Sequence, residues 1–176
     1  MVFAMGRRPH NRDMQPKTPY WTAAILAATL VLSAQDKPDV PYPQDFRSWR
    51  HVKSIVIGPD HKSFTNRGGI HHYYANDKAV EGYRTGKFPN GSVIVDEGVF
   101  TKEAEGDFKG VTLEGDRRAL DVMVKNDALY KETGGWGFEH FDRDNRTAVL
   151  QVAGRAACYA CHSKAKDDHV YSVIRK

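Results

Sequence analysis

The sequence of 176 residues predicts an α+β domain, in which an antiparallel β-sheet of about five strands is combined with a short helix and a carboxy-terminal helical segment. Three observations lead to this prediction. Five stretches are rich in β-branched and aromatic residues, one stretch between them has helical spacing, and the pattern changes again near Cys158. With 40% hydrophobic residues, the chain is long enough for one domain with a core.

The strands are predicted from local pattern and from the breakers between them. Gly58-Pro59, Gly68-Gly69 and Pro89-Asn90-Gly91 interrupt the chain. In the fourth strand, apolar residues alternate with polar ones, as expected for a half-buried strand. The predicted strands are Trp49–Ile57, Ile70–Ala75, Ser92–Phe100, Leu120–Lys125 and Trp136–Phe141.

Two helical stretches are predicted. Between Asp77 and Arg84 the apolar residues recur at three- and four-residue spacings, and Asn76 or Asp77 is the expected amino-terminal cap. From about Cys158 onward the pattern becomes helical again, with Val170, Val173 and Ile174 on one stripe.

The amino end has the layout of an export signal. A basic stretch reaches Lys17, an uncharged run from Trp21 to Ala34 follows, and the chain then becomes polar. We predict a signal peptide over residues 1–34, an extended, proline-containing lead-in over 35–45 and one domain over 46–176. The uncharged run is shorter than a bilayer requires, so we expect no stable membrane span after cleavage and a periplasmic location.

The charge balance argues against nucleic acid as a partner. The formal net charge is +4, but four basic residues and one acidic residue lie in the predicted signal. The remainder has 22 basic and 21 acidic residues and no Lys/Arg run.

The motif with chemical meaning is Cys158-Tyr159-Ala160-Cys161-His162, which has the C-x-x-C-H spacing of covalent haem attachment. On a helical turn, residues three apart lie on one side, so both thiols can reach the haem vinyl groups while the adjacent imidazole reaches the iron. These are the only cysteines. They also follow an export signal, as expected for haem that is attached outside the cytoplasm.

Three other readings of the two cysteines are open. A disulfide across so short a loop is strained and adds little stability. A thioredoxin-like redox pair usually lies near the front of its domain, whereas this pair lies near the end. A zinc site would need four ligands, which Cys158, Cys161, His162 and His169 can supply.

The sixth position on the iron decides the function of such a haem. Met123 is the only methionine after the predicted signal, and it lies in the middle of a strand. Since histidines are the other available ligands and most are expected at the surface or in packing, a five-coordinate, ligand-binding haem is favoured. The other histidines are His51, His61, His71, His72, His140 and His169.

A late C-x-x-C-H motif on a β-rich chain resembles the cytochrome P-460 family and its relative cytochrome c prime beta. The resemblance covers about Tyr42 to Ile174. It includes Tyr42-Pro-Gln-Asp-Phe-Arg-Ser-Trp49, Tyr83-Arg-Thr-Gly-Lys-Phe-Pro-Asn-Gly91 with the strand after it, Gly135-Trp-Gly-Phe138 and the haem motif.

This resemblance implies one covalent haem c whose open face points toward a five-stranded antiparallel sheet, and a homodimer. We also expect a redox partner protein. Members of the P-460 type oxidise hydroxylamine and have a lysine bonded to the haem edge, whereas those of the c prime beta type bind nitric oxide in an apolar pocket. The lysine position corresponds to Asp96 in this sequence, and a basic distal residue corresponds to His71, or to His72 if the alignment shifts by one. Because a carboxylate cannot form the lysine's nitrogen bond to the porphyrin, we expect no lysine-linked haem here.

Asp96 and His71 are the candidate catalytic residues. Alternation puts Asp96 on the same strand face as Ile94, Gly98 and Phe100, where a carboxylate is partly desolvated. Paired with His71, it would relay protons to a bound ligand; Glu139 and His140 are weaker candidates. Two functions follow: an oxidoreductase acting on hydroxylamine, nitric oxide or peroxide, or a non-catalytic protein that binds nitric oxide or transfers electrons. A solvated strand carboxylate is the alternative reading of Asp96.

Overall fold

The structure is a computed structural model and describes residues 40–150 and 152–174. The predicted signal peptide and the first residues of the lead-in lie outside the described residues. The strands are β1 (Arg50–Ile57), β2 (Gly69–Ala75), β3 (Val93–Glu103), β4 (Thr112–Lys125) and β5 (Trp136–Asp142). The helices are α1 (Phe64–Arg67), α2 (Asp77–Thr85) and α3 (Val152–His162), with short 3-10 helices at Phe46–Ser48, Gly106–Phe108 and Lys131–Thr133.

The five strands form a single antiparallel sheet in the order β1-β2-β3-β4-β5. Each strand pairs with the next one along the chain, so β1 and β5 are the two edges. The predicted fold class, an antiparallel sheet with a short helix and a carboxy-terminal helix that contains the cysteines, is confirmed. Within the described residues, no helix has the length and apolar character needed to cross a membrane.

Apolar side chains cover both faces of the sheet. On one face, Ile94 and Phe138 pack with Trp136, Phe88 and Val170. On the other face, the packed residues include Val40 and Phe46 from the lead-in and the start of the domain, together with Val95, Leu120 and Phe141. Neighbouring residues such as Ile94 and Val95 therefore face opposite ways, as strand geometry requires.

β4 is longer than the sequence predicts. It begins at Thr112 rather than Leu120, because Thr112 pairs with Glu103 and the two strands form a long hairpin. The residues from Thr112 to Glu114 are exposed, so they lack the apolar alternation that would reveal a strand.

The beginning of α2 agrees with the sequence prediction, whereas the end of α3 does not. Asn76 caps α2 as predicted, since its side-chain oxygen accepts a hydrogen bond from Ala79 N at 3.0 Å. The prediction that the helical pattern continues to Ile174 is wrong, because α3 ends at His162. Asp168 and His169 adopt φ angles of +46° and +68°, which no right-handed helix contains.

Candidate functional site

The two cysteines and the histidine of the C-x-x-C-H motif line one cleft. Cys158, Cys161 and His162 lie on the last turns of α3, which packs against β5. The cleft has a volume of about 600 Å³, within the usual range for a site that binds a small molecule or cofactor. The chain from Val170 to Ser172 contributes to its wall, and the sheet forms its floor.

The ring of His162 is held in the form that a metal ligand needs. Its Nδ1 lies 2.9 Å from the carbonyl oxygen of His169. Since a carbonyl can only accept, Nδ1 donates its hydrogen, and in the neutral ring Nε2 keeps its lone pair. Burial lowers the pKa of His162, although the His169 carbonyl opposes this shift, so the ring is neutral at neutral pH. This is the ring state that haem iron binds.

The cysteines fit haem attachment better than the other readings. Both are free thiols in the structure. Burial raises the pKa of Cys158, helped by the nearby Asp121, whereas a catalytic redox pair needs a lowered pKa. In the described part of the chain, no group of three His, Cys, Asp or Glu side chains has an arrangement that could hold a metal ion.

A row of polar residues crosses the floor of the site, with one residue from each strand. The residues of this polar row are Lys53, Tyr73, Asp96, Asp121 and His140, in strand order. Each is the direct cross-strand partner of the next, so all five belong to the same face. The first four line the cleft that also contains the cysteines. Three of them, Lys53, Tyr73 and Asp121, are not singled out as functional residues by the sequence.

Arg67 holds the two carboxylates of the polar row together. Its Nη2 donates to Asp96 Oδ2 at 2.6 Å, and its Nη1 lies 3.5 Å from Asp121 Oδ2. The other oxygen of Asp96 lies 2.8 Å from His71 Nδ1, and that of Asp121 lies 2.6 Å from His140 Nδ1. Asp96 is 8% exposed. The desolvation expected for it is therefore offset by two cationic partners.

Both ring nitrogens of His71 lie within hydrogen-bond distance of an acceptor oxygen. Nδ1 faces Asp96, and Nε2 lies 2.7 Å from the carbonyl oxygen of Arg67. Burial opposes a charge on this ring, but the hydrogen bond and the charge of Asp96 outweigh it and raise the pKa of His71. The arrangement therefore favours an imidazolium that donates to both acceptors. Gly98 leaves room for the ring, since a Cβ there would lie 3.2 Å from it.

His71 does not line the large cleft. It lines a smaller cavity of about 160 Å³, together with His140 and Arg118. Arg67 and Asp121 line both cavities and form the partition between them. Asp96 thus lies between His71 and the large cleft. Asp96 and His71 are in contact, as the sequence predicts. The sequence does not show that, of these two residues, only Asp96 lines the cleft that contains the cysteines.

Apolar side chains lie beside the polar row on the same floor. Ile94, Met123 and Phe138 line the cleft, and the ring of Phe138 lies 5.2 Å from that of His162. Met123, which the sequence shows only as a mid-strand residue, therefore lies in the cavity that also contains the histidine. Burial and the neighbouring Asp96 carboxylate also raise the pKa of Tyr73 well above its ordinary value, so its phenol stays protonated.

Glu139 connects α3 to the sheet. Its side chain is fully buried, and it accepts hydrogen bonds from Leu150 N at 2.7 Å and from Arg155 Nη2 at 2.7 Å. Arg155 lies on α3, three residues before Cys158. His140, its neighbour on β5, belongs to the polar row instead. As strand geometry predicts, the two adjacent residues have different surroundings.

A helical C-x-x-C-H motif with a neutral, oriented histidine, above a cleft of cofactor size, defines a c-type haem protein. The sequence model of the Cytochrome P460 family matches residues 43–172, and the chain belongs to this family. Its cofactor is accordingly haem c. No curated protein matches the chain.

Proposed function

We propose that the protein is an exported, mono-haem c-type cytochrome that acts as an oxidoreductase on hydroxylamine, nitric oxide or peroxide. In this proposal Cys158 and Cys161 hold the haem covalently, and His162 is the iron ligand. Bound there, haem supplies a redox-active iron with one open coordination position. A redox partner protein exchanges the electrons, and a homodimer is the proposed assembly.

The polar row is the observation that supports an enzyme. Oxidation of hydroxylamine or cleavage of peroxide requires proton transfer, and Asp96 offers a carboxylate to the cleft with His71 and Arg67 behind it. Asp96 would accept or return a proton of the ligand, while the His71 imidazolium would hold the carboxylate in place. Tyr73, the cross-strand neighbour of Asp96, would donate a hydrogen bond to the ligand.

The apolar part of the floor favours a second function. Ile94 and Phe138 offer the kind of surroundings in which nitric oxide is bound rather than converted, and the thioether of Met123 is a ligand that makes a haem an electron carrier. Under this alternative the protein binds nitric oxide or transfers single electrons without catalysis.

Two variants separate these functions. If the site is catalytic, Asp96→Asn lowers turnover of hydroxylamine or peroxide by about 10²-fold, the scale for losing a positioned acid or base, and changes nitric oxide affinity much less. Met123→Leu should then leave the spectrum of the oxidised protein unchanged. A wild type without turnover, an unaltered Asp96→Asn variant or a changed Met123→Leu spectrum would favour the alternative. Asp142→Asn, an exposed carboxylate at the end of β5, is the matched control.

A further inference from the structure

The haem cleft has two chemically different ends. Cys158 and Cys161 lie at the end next to α3 and the β5 edge. The other end is formed by the opposite edge strand, β1, and by the turn that follows it. Lys53, His61 and Ser63 line the cleft there.

The polar groups at the β1 end are donors without acceptors. Lys53 is half-buried, and within the described residues no carboxylate lies in ion-pair distance of its ammonium group. Nδ1 of His61 accepts a hydrogen bond from Ser63 N at 3.1 Å, so the neutral ring has its hydrogen on Nε2. The Ser63 hydroxyl likewise has no hydrogen-bond acceptor in the part of the chain that the structure describes. By contrast, Arg67, which also lines the cleft, forms ion pairs with both carboxylates of the polar row.

An unpaired, half-buried ammonium group favours an anionic ligand, because a partly desolvated charge is costly without a partner. Ser63 is half-buried as well, whereas His61 is exposed and lines the same end of the cleft. The two propionates of haem are anionic ligands of this kind. They lie on one edge of the ring, and the two vinyl groups lie on the opposite edge. When the cysteines fix the vinyl edge beside α3, the propionates point toward β1.

We propose that Lys53, His61 and Ser63 bind the haem propionates, with Lys53 forming the ion pair and the other two donating hydrogen bonds. This fixes the orientation of the ring across the sheet, with Tyr73, Asp96 and Asp121 beneath it and Ile55 and Ile57 against its edge. The proposal rests on haem attachment and is independent of any reaction at the iron.

The test is a titration of the propionates by carbon-13 NMR. Holoprotein is produced with 5-aminolevulinate labelled at its carboxyl carbon, which labels both propionate carboxyl groups. In the wild type the ammonium group of Lys53 holds the pKa of a propionate low. In Lys53→Gln that propionate should titrate at higher pH by about one pH unit or more, the usual effect of losing a close opposite charge. Lys53→Arg, which keeps the charge, should restore most of the original titration.

Lys62→Gln is the matched control, because Lys62 is exposed in the same turn and does not line the cleft. If Lys53→Gln and Lys62→Gln have the same small effect, the proposal is wrong. It is also wrong if Arg67→Gln alone moves the titration, since the propionates would then lie beside Arg67 and not beside Lys53. The protein mass confirms the covalent haem in every variant. A failure here is therefore distinct from a failure of catalysis, which is measured by turnover.

Discussion

Asp96 and Asp121 are direct cross-strand partners on β3 and β4, so two carboxylates face each other on the floor of the haem cleft. Like charges in this arrangement repel and destabilise a sheet. Arg67, from the four-residue helix α1, contacts both of them. The guanidinium group on α1 thereby offsets the repulsion between the two carboxylates.

We expect Arg67→Gln to lower the free energy of unfolding by about 1 kcal/mol at neutral pH. The expected loss is small because the Arg67 side chain is 43% exposed and solvent screens its ion pairs. The cause is the uncompensated repulsion between two ionised carboxylates. Urea unfolding at neutral pH measures the loss. Arg84→Gln, on the exposed surface of α2, should change stability much less, and a similar loss in both variants would contradict the assigned role of Arg67.

Haem attachment should depend on both thiols. Cys158→Ala or Cys161→Ala should sharply reduce covalent haem in protein expressed in the periplasm with the haem-maturation machinery. The wild-type mass should exceed that of the processed chain by one haem. Ala160→Ser, a neighbouring change on the same helix, should leave the mass unchanged. Free thiols or bound zinc in the purified wild type would overturn the proposed attachment.

The haem should be an ordinary haem c without a lysine cross-link. Asp96 occupies the position where the resemblance implies the lysine, and a carboxylate cannot form the same nitrogen bond. Lys78 and Lys87 lie nearby in sequence but do not line the cleft. The pyridine haemochrome should therefore have the ordinary haem c spectrum, without a red-shifted ferrous band. A proteolytic digest with haem bonded to any lysine, Lys53 included, would disprove this and strengthen hydroxylamine oxidation.

The other face of the sheet should give the protein a marked acid sensitivity. Glu97 is 2% exposed and accepts hydrogen bonds from Arg47 and Arg117. Burial opposes its ionisation, but the two guanidinium groups outweigh burial and lower the pKa of Glu97. A carboxylate with a lowered pKa stabilises the fold above its unfolded value of about 4.3, and that contribution is lost as the pH falls through the folded value.

Glu97→Gln should accordingly lower the free energy of unfolding by about 3 kcal/mol at neutral pH, because Arg117 loses its buried anionic partner and its ion pair with Asp144 is exposed to solvent. The difference from the wild type should narrow below about pH 4. Thermal or urea unfolding against pH provides the measurement, with Glu81→Gln on α2 as the surface control. A difference that stays constant down to acid pH would show that packing, not charge, is responsible.

Much of the site can be read from local pattern. The C-x-x-C-H spacing identifies the helix end that faces the cofactor, and alternation along β3 correctly places Asp96 on the same face as Ile94. Both inferences depend only on residues close together in the chain, where helix and strand periods fix the direction of a side chain.

Contacts between distant segments could not be predicted in this way. Arg67 lies on a single helical turn with no apolar period, and its partner Asp121 is 54 residues away on a strand whose pairing depends on the turns before it. The apolar stripe after His162 led to the wrong prediction of a helix there. Val170 packs into the core from a turn, and not from one face of a helix.

The polar row makes the site depend on strand register as well as on residue identity. A shift of one residue in the pairing of a strand turns its side chains to the opposite face. Inserting one residue before Asp121 in β4 would offer the neighbouring Leu120 to the cleft and remove the carboxylate that Arg67 and His140 hold. Such an insertion leaves the cysteines untouched. A single inserted codon in one of these strands would therefore change the polar row while leaving the haem-attachment motif intact.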